Sequence, residues 1–160
     1  MLKRPFSLDD AVIAFACFEK PSSYIDEDLY EPERLDYEEM LGGKPRELLT
    51  VNNFGISTWG PMCYLTAAAM AYLLPRLMEM AVSGVRDRTE DLFMMRFINH
   101  FSAGPAQPQY ALFNANQRAV VTAFLEHLEA EHGELVAQEC WEDVLTEGIR
   151  NWRSSLTTSP

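Results

Sequence analysis

Side chains able to do chemistry are few in this chain, and their spacing argues against most reactions. Its three histidines are His100, His127 and His132. On a helix His127 and His132 stand about 140° apart, so they do not share a face as metal ligands at i and i+4 would. Glu131 lies four residues beyond His127 and reads as its partner in a solvated acidic face. The three cysteines, Cys17, Cys63 and Cys140, are odd in number, far apart and without a C-x-x-C pair. That pattern predicts reduced thiols in a cytoplasmic protein, each packed as a small apolar group. Ser57, Ser83 and Ser102 occupy no nucleophile elbow, and Gly42-Gly43-Lys44 lacks the leading glycine and the hydroxyl residue of a phosphate loop. The acidic pairs Asp26–Asp28 and Glu142–Asp143 have no calcium-loop pattern around them. No catalytic residue, metal or cofactor is expected.

One polar constellation stands out. Between Leu65 and Ser83 the chain reads LTAAAMAYLLPRLMEMAVS, apolar on nearly every side of a helix. Tyr72, Arg76, Glu79 and Ser83 interrupt it at steps of four, three and four, which puts them on one narrow stripe. Approached by Trp59 and Tyr64, the Tyr72–Arg76–Glu79 stripe reads as the floor of a ligand pocket. It reads equally as an Arg76–Glu79 ion pair facing water, and that is the simpler of the two.

The elements that must position these residues emerge from periodicity. Ser7 and Asp10 have capping-box spacing, and Leu8, Ala11, Val12, Phe15 and Phe18 predict a helix over 8–19. Pro32, Leu35, Met40 and Leu41 predict a short helix stopped by Gly42-Gly43, with another turn from Pro45. Thr50–Met62 reads as a loop held to the body by Phe54, Ile56 and Trp59. The apolar helix over 65–83 comes next, kinked or broken at Pro75 and stopped by Gly84. Thr89 caps a helix that Met94, Phe97, Ile98 and Phe101 continue to Gly104, and SAGPAQPQYALF interrupts the chain. Asn114 and Gln117 start a further helix that Gly133 separates from the last. There Ala137, Trp141, Val144, Leu145, Gly148 and Trp152 form the core face, so both tryptophans are expected in the core. The fold class is all-α: a single domain over 1–153, of about five or six helices packed around the central one, with 154–160 a frayed tail.

Two stretches carry a family resemblance. Leu65-Thr66, Ala69-Met70, Tyr72 and Leu74-Pro75 resemble a segment reading roughly LTPEAFRYYLP in an uncharacterised bacterial family of unknown function. Gln117-Arg118-Ala119-Val120 with Phe124-Leu125 after it resembles that family's second recurring stretch. The chain departs from the pattern at Ala67, Ala68, Met70, Ala71 and Leu73, and with Leu73 one of the two paired tyrosines is missing. The resemblance implies a small bacterial helical protein and brings no activity with it.

Charge bounds the partners. The chain carries a formal net charge of −11, which excludes the basic footprint of a nucleic-acid binder and disfavours an anionic membrane surface. Residues 24–50 hold nine acidic and three basic side chains, and residues 119–149 hold eight acidic and none basic. No charge occurs from Leu48 to Pro75, but Asn52, Asn53, Gly55, Gly60 and Pro61 break that run. About 14 apolar residues remain, short of the ~20 a membrane span needs. Lys3 and Arg4 lead into a stretch broken by Asp9, Asp10 and Glu19, so no signal peptide is expected. The expectation is a cytoplasmic interaction protein that meets a basic protein through an acidic surface, with Glu139, Glu142 and Asp143 at the contact. Small acidic neutralising proteins such as immunity proteins and antitoxins are analogous in character. The alternatives are a small-molecule-binding protein or enzyme with its pocket at the polar stripe, and a subunit of a larger assembly.

Overall fold

The computed structural model describes residues 5–55 and 60–157, and every regular element among them is helical. The six α-helices are α1 (Leu8–Ala14), α2 (Glu31–Leu41), α3 (Ala67–Val82), α4 (Phe93–Ser102), α5 (Ala115–Gln138) and α6 (Glu142–Ser154), joined by loops with short 3₁₀ turns. None of the described helices is long and apolar enough to cross a membrane.

The central helix is α3, whose start is fixed by the Thr66 hydroxyl accepting from the Ala69 N–H at 3.0 Å. Eleven of its 16 residues are buried, from Ala69 to Ala81. Pro75 lies inside it without breaking it. An interior proline costs about 3 kcal/mol, whereas each fully buried Leu or Met contributes ~1.5–3 kcal/mol. Leu73, Leu74, Leu77 and Met78, all fully buried around it, outweigh the proline.

Several element boundaries differ from the sequence reading. The Ser7–Asp10 capping box is formed, but α1 stops at Ala14 rather than at 19. The side-chain amide of buried Gln117 donates to the Ala14 carbonyl at 2.9 Å, and the Phe15 ring turns into the core against Phe113. Val12, expected on the core face, is therefore half-exposed. In α2 Gly42 provides the left-handed cap and Leu41 is fully buried, whereas Leu35 points to solvent. Thr89 does not cap α4. It sits in a loop closed on the Asp87 carboxylate, and the helix begins at Phe93. Gly133 does not divide the last two helices either, because α5 runs through it to Gln138. A lone glycine costs a helix only ~1 kcal/mol relative to alanine, which good helix formers on either side absorb. The chain turns instead at Cys140, whose φ is 60°.

That later break leaves Trp141 packed against the edge of the core rather than inside it. It is the N-cap residue of α6 and half-buried, while Leu145, Gly148, Ile149 and Trp152 carry the helix onto the body. The carbonyls at the end of α4, which the helix backbone cannot satisfy itself, are met by side chains. Ser102 Oγ donates to Asn99 O, Tyr110 Oη to His100 O, Trp152 Nε1 to Phe101 O and Asn151 Nδ2 to Ser102 O, at 2.7–2.8 Å. Close approach of α6 to α4 depends on Gly148, where an added Cβ would stand 3.2 Å from Ser102 Cα.

Candidate functional site

The polar stripe of α3 serves first as a clamp. Tyr72 Oη accepts from the Arg46 backbone N–H at 3.1 Å, and the Tyr72 carbonyl accepts from Arg46 Nη1 at 2.9 Å. The Arg46 guanidinium also lies 5.0 Å from the Tyr72 ring centroid, a cation–π distance. Four residues on, Arg76 Nε donates to the Leu49 carbonyl at 2.9 Å and Nη1 meets Glu79 at 2.6 Å. These bonds fasten the 3₁₀ turn Arg46–Leu48 across α3. Arg76 and Glu79 face an open groove of about 490 Å³ beside α1, with Val12 and Pro75 in its wall.

The structure does not bring Tyr64 to this groove. Tyr64 stacks on Tyr37 with ring centroids 5.4 Å apart, and lines a separate cavity of about 400 Å³ with Asp26, Cys63 and His100. Trp59 lies outside the described residues.

Partial burial, together with the nearby positive charge of Arg96, pushes the His100 imidazole down to about 4. Its folded value is below that of the unfolded chain, so the unfolded state binds more protons as pH falls from about 6.5 to about 4. His100 thus makes the fold less stable through that interval as pH falls. An NMR titration is expected to place its midpoint near 4, and a midpoint at or above the ordinary 6.5 would contradict the site as described.

The cysteines differ from expectation, since Cys17, Cys63 and Cys140 are all exposed. Exposure does not activate Cys63: desolvation by its surroundings raises its thiol, outweighing the nearby Arg96 charge. A thiol held protonated is a poor nucleophile. His127 and His132 have ring centroids 6.1 Å apart, and no group of three or more ligating side chains gathers among the described residues.

On the acidic segment, the fold supplies cations that the segment itself lacks. Arg153 meets Glu126 at 2.7 Å, Arg86 meets Glu139 at 3.7 Å and Arg150 meets Glu147 at 3.8 Å. The other five carboxylates, Glu129, Glu131, Glu134, Glu142 and Asp143, are exposed and form no ion pair among the described residues. Of the three residues expected at a contact, Glu142 and Asp143 open α6 and Glu139 ends α5 beside them. The turn at Cys140 therefore sets all three around the junction of α5 and α6.

A buried ion pair lies outside the sequence reading. Arg96, 4% exposed, meets Asp87, 6% exposed, with Nη2 2.8 Å from Oδ2. Arg96 also donates to the carbonyls of Phe54 and Gly55 at 2.6 and 3.1 Å. The other carboxylate oxygen of Asp87 accepts from Thr89 N, Thr89 Oγ1 and Asp91 N. Burial alone would raise the Asp87 carboxyl, but these donors and the Arg96 charge together hold it below its ordinary value. The one signal in the sequence is the lone cation within FMMRFI, where every neighbour is apolar.

No curated protein and no solved structure matches the chain. A family model described as a family of unknown function (DUF6714) matches residues 25–154, which takes in α2 to α6 and leaves α1 outside. With most of its length matched, the chain belongs to that family.

Proposed function

We propose that the protein is an acidic interaction module that captures a basic protein through the surface around the junction of α5 and α6. The observation that carries this reading is the exposed pair Glu142 and Asp143, in no ion pair among the described residues, beside the weakly paired Glu139, with Glu129, Glu131 and Glu134 extending the acidic surface back along α5. Their placement works against stability at one point. The last turn of α5 has no basic residue, and Glu139 caps it, where the helix dipole favours cations by ~0.3–1 kcal/mol. A carboxylate kept where the helix disfavours it fits a role in steering a partner. The partner is a basic protein in the cytoplasm of a bacterium, and immunity proteins and antitoxins remain the analogy.

The test is a pull-down from the host, then binding kinetics over a salt series. Association should slow markedly as salt rises, because exposed charges are screened beyond ~8 Å at physiological ionic strength. Changing Glu139, Glu142 and Asp143 together to lysine should lower the on-rate further. All three side chains are exposed, so the fold should survive, at a helix-dipole cost at α6 on the order of 2 kcal/mol. The neutral comparison is the triple change Glu139→Gln, Glu142→Gln and Asp143→Asn, which should fall between the natural protein and the lysine form. A partner bound equally by all forms at every salt concentration would refute the proposal.

A further inference from the structure

The acidic surface adjoins a cavity of about 150 Å³ between α4 and the α5–α6 turn. We infer that this cavity is the anchor point for the basic partner and receives one arginine or lysine side chain; the inference rests on the acidic-face reading. Size is the first argument. Pockets for metabolites and cofactors run to roughly 300–1,000 Å³, so this one suits a single side chain.

Its walls match such a side chain from stem to head. Leu92 and Met95 offer apolar surface for the methylene stem, and the half-buried Trp141 offers an indole ring for a cation. Asp91 and Glu139 stand in the same wall. Asp91 shares the single Thr89 hydroxyl proton with Asp87, at 2.8 and 2.7 Å, and Glu139 has only the long 3.7 Å contact with half-exposed Arg86. Both therefore retain acceptor capacity for an incoming guanidinium or ammonium. The wall's own cation, Arg96, is already matched by Asp87 and does not oppose entry.

A free anion would be repelled by Asp91 and Glu139 in the same wall. Asn99, also in the wall, adds an amide able to pair with the peptide backbone.

The experiment is an NMR titration of isotope-labelled protein with a capped pentapeptide of glycines around one arginine, and with the same peptide carrying neutral citrulline. The arginine peptide is expected to shift the Trp141 indole N–H and the Asn99 side-chain amide saturably. Affinity should fall about tenfold with citrulline and by a similar factor in Glu139→Gln, whose amide spectrum reports directly that the fold is kept. Equal binding of the two peptides would overturn the inference. Shifts confined to Glu129, Glu131, Glu134, Glu142 and Asp143 would overturn the anchor while leaving the acidic face intact. Silence at Trp141 with either peptide would overturn the anchor too, and the salt-dependent pull-down would then judge the acidic face by itself.

Discussion

Trp152→Ala is expected to cost about 3–5 kcal/mol of folding stability, the range for removing a fully buried large aromatic. Trp152 is 0% exposed and lies against Phe101, Tyr110 and Phe113 at ring-centroid distances of 5.8, 5.2 and 6.2 Å. Aromatic side chains so packed cannot collapse far into the space the indole leaves. The substitution also removes the donor to the Phe101 carbonyl at 2.7 Å. That carbonyl still accepts from the Gly104 N–H at 3.2 Å, so packing dominates the loss. Trp152→Phe separates the two contributions: it keeps much of the ring volume and gives up the hydrogen bond, so its cost should be clearly smaller. Urea unfolding of the three proteins measures this. A loss below about 1 kcal/mol for Trp152→Ala, typical of surface changes, would mean that α6 does not dock as described.

Trp141 shows why periodicity locates one tryptophan and misses the other. Helical spacing puts Trp152, Gly148 and Leu145 on the buried face, where the structure has them. Extending the same face back to Trp141 and Ala137 fails, because the helix is interrupted between them. Cys140 adopts φ 60°, a conformation that glycine and asparagine advertise in a sequence and cysteine does not. The glycine that reads as the stop, Gly133, has nothing within 4 Å of an added Cβ and stays helical. Local signals are dependable where local bonds decide the outcome, as at the Ser7 and Asn114 capping boxes and the Gly42 cap.

The candidate site is legible in the same uneven way. The charge pattern of 119–149 can be counted directly, and so can the spacing of Tyr72, Arg76 and Glu79. Most of their partners cannot, because Arg46, Leu49, Arg86 and Arg153 lie 26 to 53 residues from the side chains they meet. Pairing across such separations depends on tertiary packing, which periodicity does not encode. The cavity beside Trp141 is hidden for the same reason: its walls come from residues 91–99 and 139–141, which only the docking of α5 and α6 on α4 brings together.

Breaking the buried pair should cost as much as deleting the buried tryptophan. Asp87→Ala leaves Arg96 a buried cation facing only the Phe54 and Gly55 carbonyls. It also strips acceptors from Thr89 and Asp91, whose N–H groups shape the loop before α4. Removing one partner of a buried pair typically costs ~3–5 kcal/mol, whereas replacing both with apolar groups can be nearly neutral. The double variant Asp87→Ala with Arg96→Met should accordingly lose less than the sum of the two single changes. Acid tests the same pair from another side. The folded Asp87 carboxyl lies below its unfolded value, so the unfolded chain binds more protons at low pH. The stabilisation is present above the ordinary Asp value of ~3.9 and is lost as pH falls through the lower folded value. Unfolding free energies measured from neutral pH down to about pH 2 should therefore drop less steeply for Asp87→Ala than for the natural protein. Strictly additive single changes, with parallel acid limbs in both proteins, would show that the pair contributes nothing beyond its separate side chains.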